Sequence, residues 1–133
     1  MNAVFADTSG LLALVNIDDE NHTRAAAAFD TFRGRQVPLL TTSYVLVESY
    51  ALLGRRLGVS AVNGFRTDFA PLIDVVWVDE AMHNAGLDLL LNRRRRQLSL
   101  VDAVSFTAML LQGMSEAFAY DPRLEQEGFS LVG

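Results

Sequence analysis

Short apolar runs alternate along the chain with longer stretches of helical spacing. Val4-Phe5-Ala6 is uniformly apolar and stops at Asp7, the pattern of a buried strand. Thr8 to Ile17 follows with Leu11, Leu12, Leu14 and Val15 at helical positions. A second helix is predicted from about Asn21 to Arg33, its start near Asp18-Asp19-Glu20. Pro38-Leu39-Leu40-Thr41 reads as a strand, and Thr42 or Ser43 caps a helix reaching Arg56 before Gly58. Ser60 to about Phe69 reads as a further helix, stopped by Pro71. Val75-Val76-Trp77-Val78 is a third strand with Trp77 expected in the core, and Asp79 caps a helix running to the arginines at 93–96. Ser99 opens a helix to about Gln112, ended by Gly113. Ala117-Phe118-Ala119-Tyr120 is a fourth strand, stopping at Asp121, and Phe129-Ser130-Leu131 a fifth. Buried strands alternating with helices predict an α/β fold around a parallel sheet.

Composition narrows the chemistry. The 133 residues make one domain, with no linker or repeat, and half of them are hydrophobic. There is no cysteine, so thiol nucleophiles, zinc ribbons and iron–sulfur clusters are excluded. All eleven Lys+Arg positions are arginine, which excludes a phosphate-binding P-loop, a Schiff base and a Ser–Lys dyad. His22 and His83 are too far apart in sequence for a metal motif and read as surface or packing residues. The net charge of −5 speaks against loose nucleic-acid binding by the whole surface. No apolar run reaches the length of a membrane span, and the N-terminal segment from Met1 to Asp7 has no basic region, so a cytoplasmic location is expected.

Four acids stand out. Asp7 and Asp121 end the first and fourth strands, and ligands of open parallel sheets bind beyond those carboxyl ends. Taken singly, each is also an ordinary helix cap, Asp7 before Thr8-Ser9-Gly10 and Asp121 before Pro122. Asp102 stands three residues after Ser99, the spacing of a capping box. Glu48 has no comparable structural reading. Its helical neighbours are Tyr44, Val45, Ala51 and Leu52, and the nearest arginines, Arg55 and Arg56, are about two turns on. A carboxylate on such a stripe is unfavourable unless paired or metal-bound. Acids converging at one sheet edge, without His or Cys, suit Mg²⁺ or Mn²⁺ and metal-assisted phosphoryl chemistry. Those four acids account for most of the net negative charge.

These stretches resemble a PIN-domain ribonuclease, and most closely the VapC-type toxins of bacterial toxin–antitoxin modules. The resemblance rests on Val4-Phe5-Ala6-Asp7-Thr8-Ser9, Ser43-Tyr44-Val45-Leu46-Val47-Glu48, Leu98-Ser99-Leu100-Val101-Asp102-Ala103 and Phe118-Ala119-Tyr120-Asp121. His22 with Ala25, and Leu124 with Gly128-Phe129, extend it across nearly the whole chain. It implies a single PIN domain over residues 1–133, with a five-stranded parallel sheet in order 3-2-1-4-5 and helices on both faces. It also implies one or two Mg²⁺ or Mn²⁺ ions held by Asp7, Glu48, Asp102 and Asp121. The implied reaction is hydrolysis of RNA to 3′-hydroxyl and 5′-phosphate ends. Implied partners are an RNA substrate, a small antitoxin protein and a second copy of the chain in a homodimer. One position departs from the pattern: Ala119 stands where many relatives carry Thr or Ser, leaving Thr8 or Ser9 to supply a hydroxyl.

Arg93-Arg94-Arg95-Arg96 is the one dense positive run, either complementing a helix dipole or contacting phosphates near Asp102. Other roles for the same residues are a housekeeping RNA-processing nuclease and a non-catalytic binding module of the same fold. A phosphoacceptor domain with an acidic Mg²⁺ pocket relies on a lysine that this chain lacks.

Overall fold

The computed structural model describes residues 2–133; Met1, the first residue of the N-terminal segment read above, lies outside the described residues. The strands are β1 (Val4–Ala6), β2 (Leu39–Thr42), β3 (Asp74–Val76), β4 (Glu116–Phe118) and β5 (Ser130–Val132). They form one sheet in the order β3-β2-β1-β4-β5, with every pairing parallel. Parallel neighbours need crossovers, and helices supply them. These are α1 (Thr8–Val15), α2 (His22–Gly34), α3 (Ser43–Leu57), α4 (Val59–Gly64), α5 (Glu80–Arg93), α6 (Leu100–Leu111) and the short α7 (Arg123–Gln126).

β1 is the centre of the sheet and is wholly buried, which is why it carries an unbroken apolar run. Phe5 is in register with Leu40 on one side and Ala117 on the other. Thr41, also fully buried, donates its hydroxyl to the Ala6 carbonyl at 2.7 Å and so ties β2 to the end of β1. Phe5, Phe106, Phe118, Leu11 and Met109 are among the fully buried side chains at the centre of the core. The α6 helix is buried from Asp102 to Met109, so Asp102 stands where α6 enters the core.

Three expectations are corrected. The stretch from Ser60 is not one helix: α4 ends at Gly64, and Phe65–Phe69 widens into a π turn before a 3₁₀ turn holding Pro71. The widening seats aromatic side chains, Phe65 against Tyr50 at 5.2 Å and Phe69 against Phe29 at 5.4 Å between ring centres. The fourth strand ends at Phe118 rather than Tyr120, so Asp121 lies in the bend beyond it. Trp77 is not in the core but 74% exposed. It follows the last residue of β3, an edge strand, and has no second neighbouring strand to cover it. His22 does pack, its Nδ1 hydrogen-bonded to the Ala13 carbonyl at 2.9 Å between α1 and α2, and His83 pairs with the Tyr44 hydroxyl.

Candidate active site

Because β1 and β4 are neighbours, the segments leaving their carboxyl ends meet. The Asp7 N–H donates to the Phe118 carbonyl at 3.1 Å, continuing the ladder past β1. The Asp7 carboxylate then caps α1, accepting from the Ser9 N–H at 3.4 Å and the Ser9 hydroxyl at 2.9 Å. Ser9 Oγ in turn accepts from the backbone N–H groups of Tyr120, at 2.9 Å, and Asp121, at 3.2 Å. One hydroxyl therefore fastens the segment after β4 to the start of α1. Of Thr8 and Ser9, which both line the cavity, it is Ser9 whose hydroxyl bonds to the segment that follows Ala119. Thr8 Oγ1 is buried without a hydrogen-bond partner among the described residues. The contact requires Gly10, where a Cβ would collide with the Phe118 carbonyl oxygen.

Asp102 is placed by local rules. It completes the capping box of α6: Asp102 Oδ2 accepts from the Ser99 N–H at 3.0 Å, and Ser99 Oγ accepts from the Asp102 N–H at 3.1 Å. Arg123 Nη1 donates to the same Oδ2 at 3.2 Å. Asp121 Oδ1 accepts from the Arg123 N–H at 2.9 Å and faces the Arg123 Nε at 3.4 Å, so this arginine spans two of the four acids. Glu48 comes from a different direction, on α3, one turn beyond Tyr44 and one before Leu52. It is half-buried rather than enclosed, and it has neither a hydrogen bond nor an ion pair among the described residues.

All four acids line one cavity of about 420 Å³, together with Thr8, Ser9, Asp19, Asn21, Tyr120, Arg56 and Arg123. Its electrostatics are those of carboxylates short of positive charge. Burial pushes the Asp7 carboxyl up from an ordinary 3.8 to about 6; the Ser9 hydrogen bond opposes that shift and the nearby Asp102 carboxylate adds to it. Among the described residues no three acidic or histidine side chains are gathered tightly enough to form a ready ligand set. The guanidinium of Arg123 occupies the space between Asp102 and Asp121 instead. The donor chemistry still fits a hard divalent cation. The four carboxylates share one cavity with no His or Cys lining it, and Asp7 and Asp102 already repel each other.

The arginine run lies elsewhere. Arg93 and Arg95 bind Glu127 at 3.3 and 2.8 Å, and Arg94, at φ 55°, closes α5; none of Arg93, Arg94, Arg95 or Arg96 lines the cavity. The cations that do are Arg56, which the sequence offered only as one of the two arginines nearest Glu48, and Arg123, which it did not single out. Spacing gave no signal for Arg56: on an ideal helix Arg55, seven residues after Glu48, lies nearer the Glu48 face than Arg56, eight residues on. For Arg123 there was none beyond its place two residues after Asp121.

No family model matches the chain. It is 30% identical over 127 residues to VapC20 of Mycobacterium tuberculosis, a 23S rRNA-specific endonuclease, covering 95% of each chain. The crystal structure of Mycobacterium tuberculosis VapC20, a sarcin–ricin-loop-cleaving toxin, is similar with a TM-score of 0.86 and 29% identity, over 98% of both chains. Two more distant structures share the fold. They are FitAcB from Neisseria gonorrhoeae (TM-score 0.69, 10% identity, 98% and 96% covered) and DNA-bound VapBC from Salmonella typhimurium (0.71, 15%, 99% and 98%). No helix among the described residues is long and apolar enough to cross a membrane. With this identity over nearly the full length of both sequences, the chain belongs to the VapC family of PIN-domain toxins.

Proposed function

We propose that this chain is a metal-dependent endoribonuclease and the toxin of a toxin–antitoxin pair. The observation that carries the reading is the convergence of Asp7, Glu48, Asp102 and Asp121 on one cavity at the carboxyl edge of the sheet. Asp7, Glu48 and Asp102 are the principal residues to hold Mg²⁺ or Mn²⁺, with Asp121 as the fourth. When bound, the ion supplies charge that activates water and stabilises developing negative charge on phosphate oxygens. Ser9 fixes Asp7 and Asp121 relative to one another through its three hydrogen bonds. The Ser99 box holds Asp102 in a single orientation. Glu48, with no hydrogen-bond or ion-pair partner among the described residues, is free to serve as a ligand. Hydrolysis breaks the P–O3′ bond and leaves 3′-hydroxyl and 5′-phosphate ends.

VapC20 acts on 23S rRNA, and a large-subunit rRNA loop is accordingly the first substrate to test. A separate antitoxin protein restrains the activity in this reading, and two copies form a homodimer. Exposed Leu57 and Val59, at the junction of α3 and α4, offer apolar surface for such contacts. The test is cleavage of total bacterial RNA by the purified chain, with product ends mapped. Cutting that stops in EDTA and returns with Mn²⁺ or Mg²⁺ supports the proposal. Cutting that survives thorough chelation overturns the metal mechanism, and no cutting under any divalent ion overturns the ribonuclease itself.

A further inference from the structure

RNA entering the acidic cavity brings negative charge to a lining that already carries five carboxylates: Asp7, Asp19, Glu48, Asp102 and Asp121. Two arginines share that lining. Arg123 is engaged by Asp102 and Asp121. Arg56 is exposed and has neither an ion pair nor a hydrogen bond among the described residues. It follows Glu48 along α3, with Leu52 between them, and all three line the cavity. Eight residues of helix separate Arg56 from Glu48 by about 12 Å along the axis. That is too far for the two to pair directly, yet within the same groove.

We infer that Arg56 is a phosphate subsite, gripping the RNA backbone beside the linkage that is cut; this rests on the ribonuclease reading above. A guanidinium offers paired N–H donors that match two phosphate oxygens. The helix does not need Arg56 for its own ending. Gly58, at φ 93°, turns the chain and donates its N–H to the carbonyls of Gly54 and Leu53. Arg55 supplies an internal contrast: it lies in the same last turn and is also exposed, but it does not line the cavity. A dipole role would fall on both arginines alike; a phosphate role falls on Arg56 alone.

The test is steady-state cleavage of a fluorescent RNA hairpin carrying the sarcin–ricin loop sequence, in Mn²⁺, at about 50 to 200 mM salt. Arg56→Gln should raise KM about tenfold with kcat nearly unchanged. The slope of log(kcat/KM) against log salt should flatten by about 0.7 to 1. Arg56→Lys should keep the slope and recover part of the KM, because it retains charge and loses the fork. Arg55→Gln should match wild type, and all three variants should melt with it. If wild type cuts and Arg56→Gln behaves as Arg55→Gln does, the subsite is wrong while the ribonuclease stands. Unchanged kinetics with weaker retention of a co-expressed antitoxin would assign Arg56 to protein contact and equally overturn the subsite. A wild-type protein that cuts neither this hairpin nor total RNA removes the reading on which the inference rests, and the inference with it.

Discussion

The two walls of the acidic cavity are built by different means. On the β1 and α6 side, Asp7 and Asp102 are buried, and each accepts a backbone N–H at the start of a helix. Their carboxylates serve the fold as caps, and in the proposed site they would also serve the chemistry. On the α3 side, Glu48 and Arg56 hang from the middle and end of a helix with no partner among the described residues. No hydrogen bond or ion pair among the described residues holds either side chain, and in the proposed site both act on what the cavity binds. Substitutions on the first wall should therefore change stability and activity together. Substitutions on the second should separate them.

The largest expected effect sharpens this contrast. Glu48→Gln keeps shape and strands no partner, so its melting in EDTA should lie within about 0.5 kcal/mol of wild type. Cleavage should nevertheless fall by at least about a hundredfold, since the charged ligand is gone. Rates on RNA and denaturant melts in EDTA measure both halves. A variant that melts clearly lower yet cuts normally when folded would make Glu48 a structural residue and erase the difference between the walls.

The same contrast governs what was legible in the sequence. Asp7 and the Ser99–Asp102 pair were readable because capping is local: the partners lie within three residues. Glu48 was readable as a misfit on an apolar stripe; it is only half-buried because the cavity borders that part of α3. The alternation of strands and helices followed from periodicity. The strand order did not; it came with the family resemblance, since pairing of β1 with β4 links residues more than a hundred positions apart. Arg93 to Arg96 drew attention by density, but Glu127, over thirty residues on, engages Arg93 and Arg95. Long-range partners of this kind leave no local trace, as with the reach of Arg123 to Asp102, and the exposure of Trp77 follows from the edge position of β3, which periodicity does not show.

The first wall is strained by its own charge. Asp7 titrates near 6 in the fold against 3.8 ordinarily, chiefly through burial. Its folded value is raised, so the favourable contribution is fully present below about pH 4 and is lost as pH rises through 6. Asp7→Asn keeps the α1 cap, since Asn caps as well as Asp. In EDTA at neutral pH it should be about 2–3 kcal/mol more stable than wild type, a gain that fades towards pH 4. Saturating Mn²⁺ should narrow the gap by stabilising wild type more. Identical pH profiles for the two proteins would show that Asp7 is not held in this unfavourable state.

A smaller effect should appear at Ser9, which joins Asp7 to the segment after β4. Its hydroxyl donates to Asp7 and is the acceptor for the N–H groups of Tyr120 and Asp121. Ser9→Ala leaves those two part-buried donors to the water of the cavity and should cost about 1–2 kcal/mol in denaturant melts at pH 7. It also removes a hydrogen bond that holds the Asp7 pKa down. The fall in stability with rising pH should therefore extend above pH 6 in the variant, in the direction opposite to Asp7→Asn. Cleavage should drop with it, because Asp121 loses its tether while Glu48, on the far wall, is untouched. If Ser9→Ala instead lowered stability without moving the pH profile, Ser9 would be a packing residue of the loop, and the first wall would hold Asp7 by its backbone cap alone.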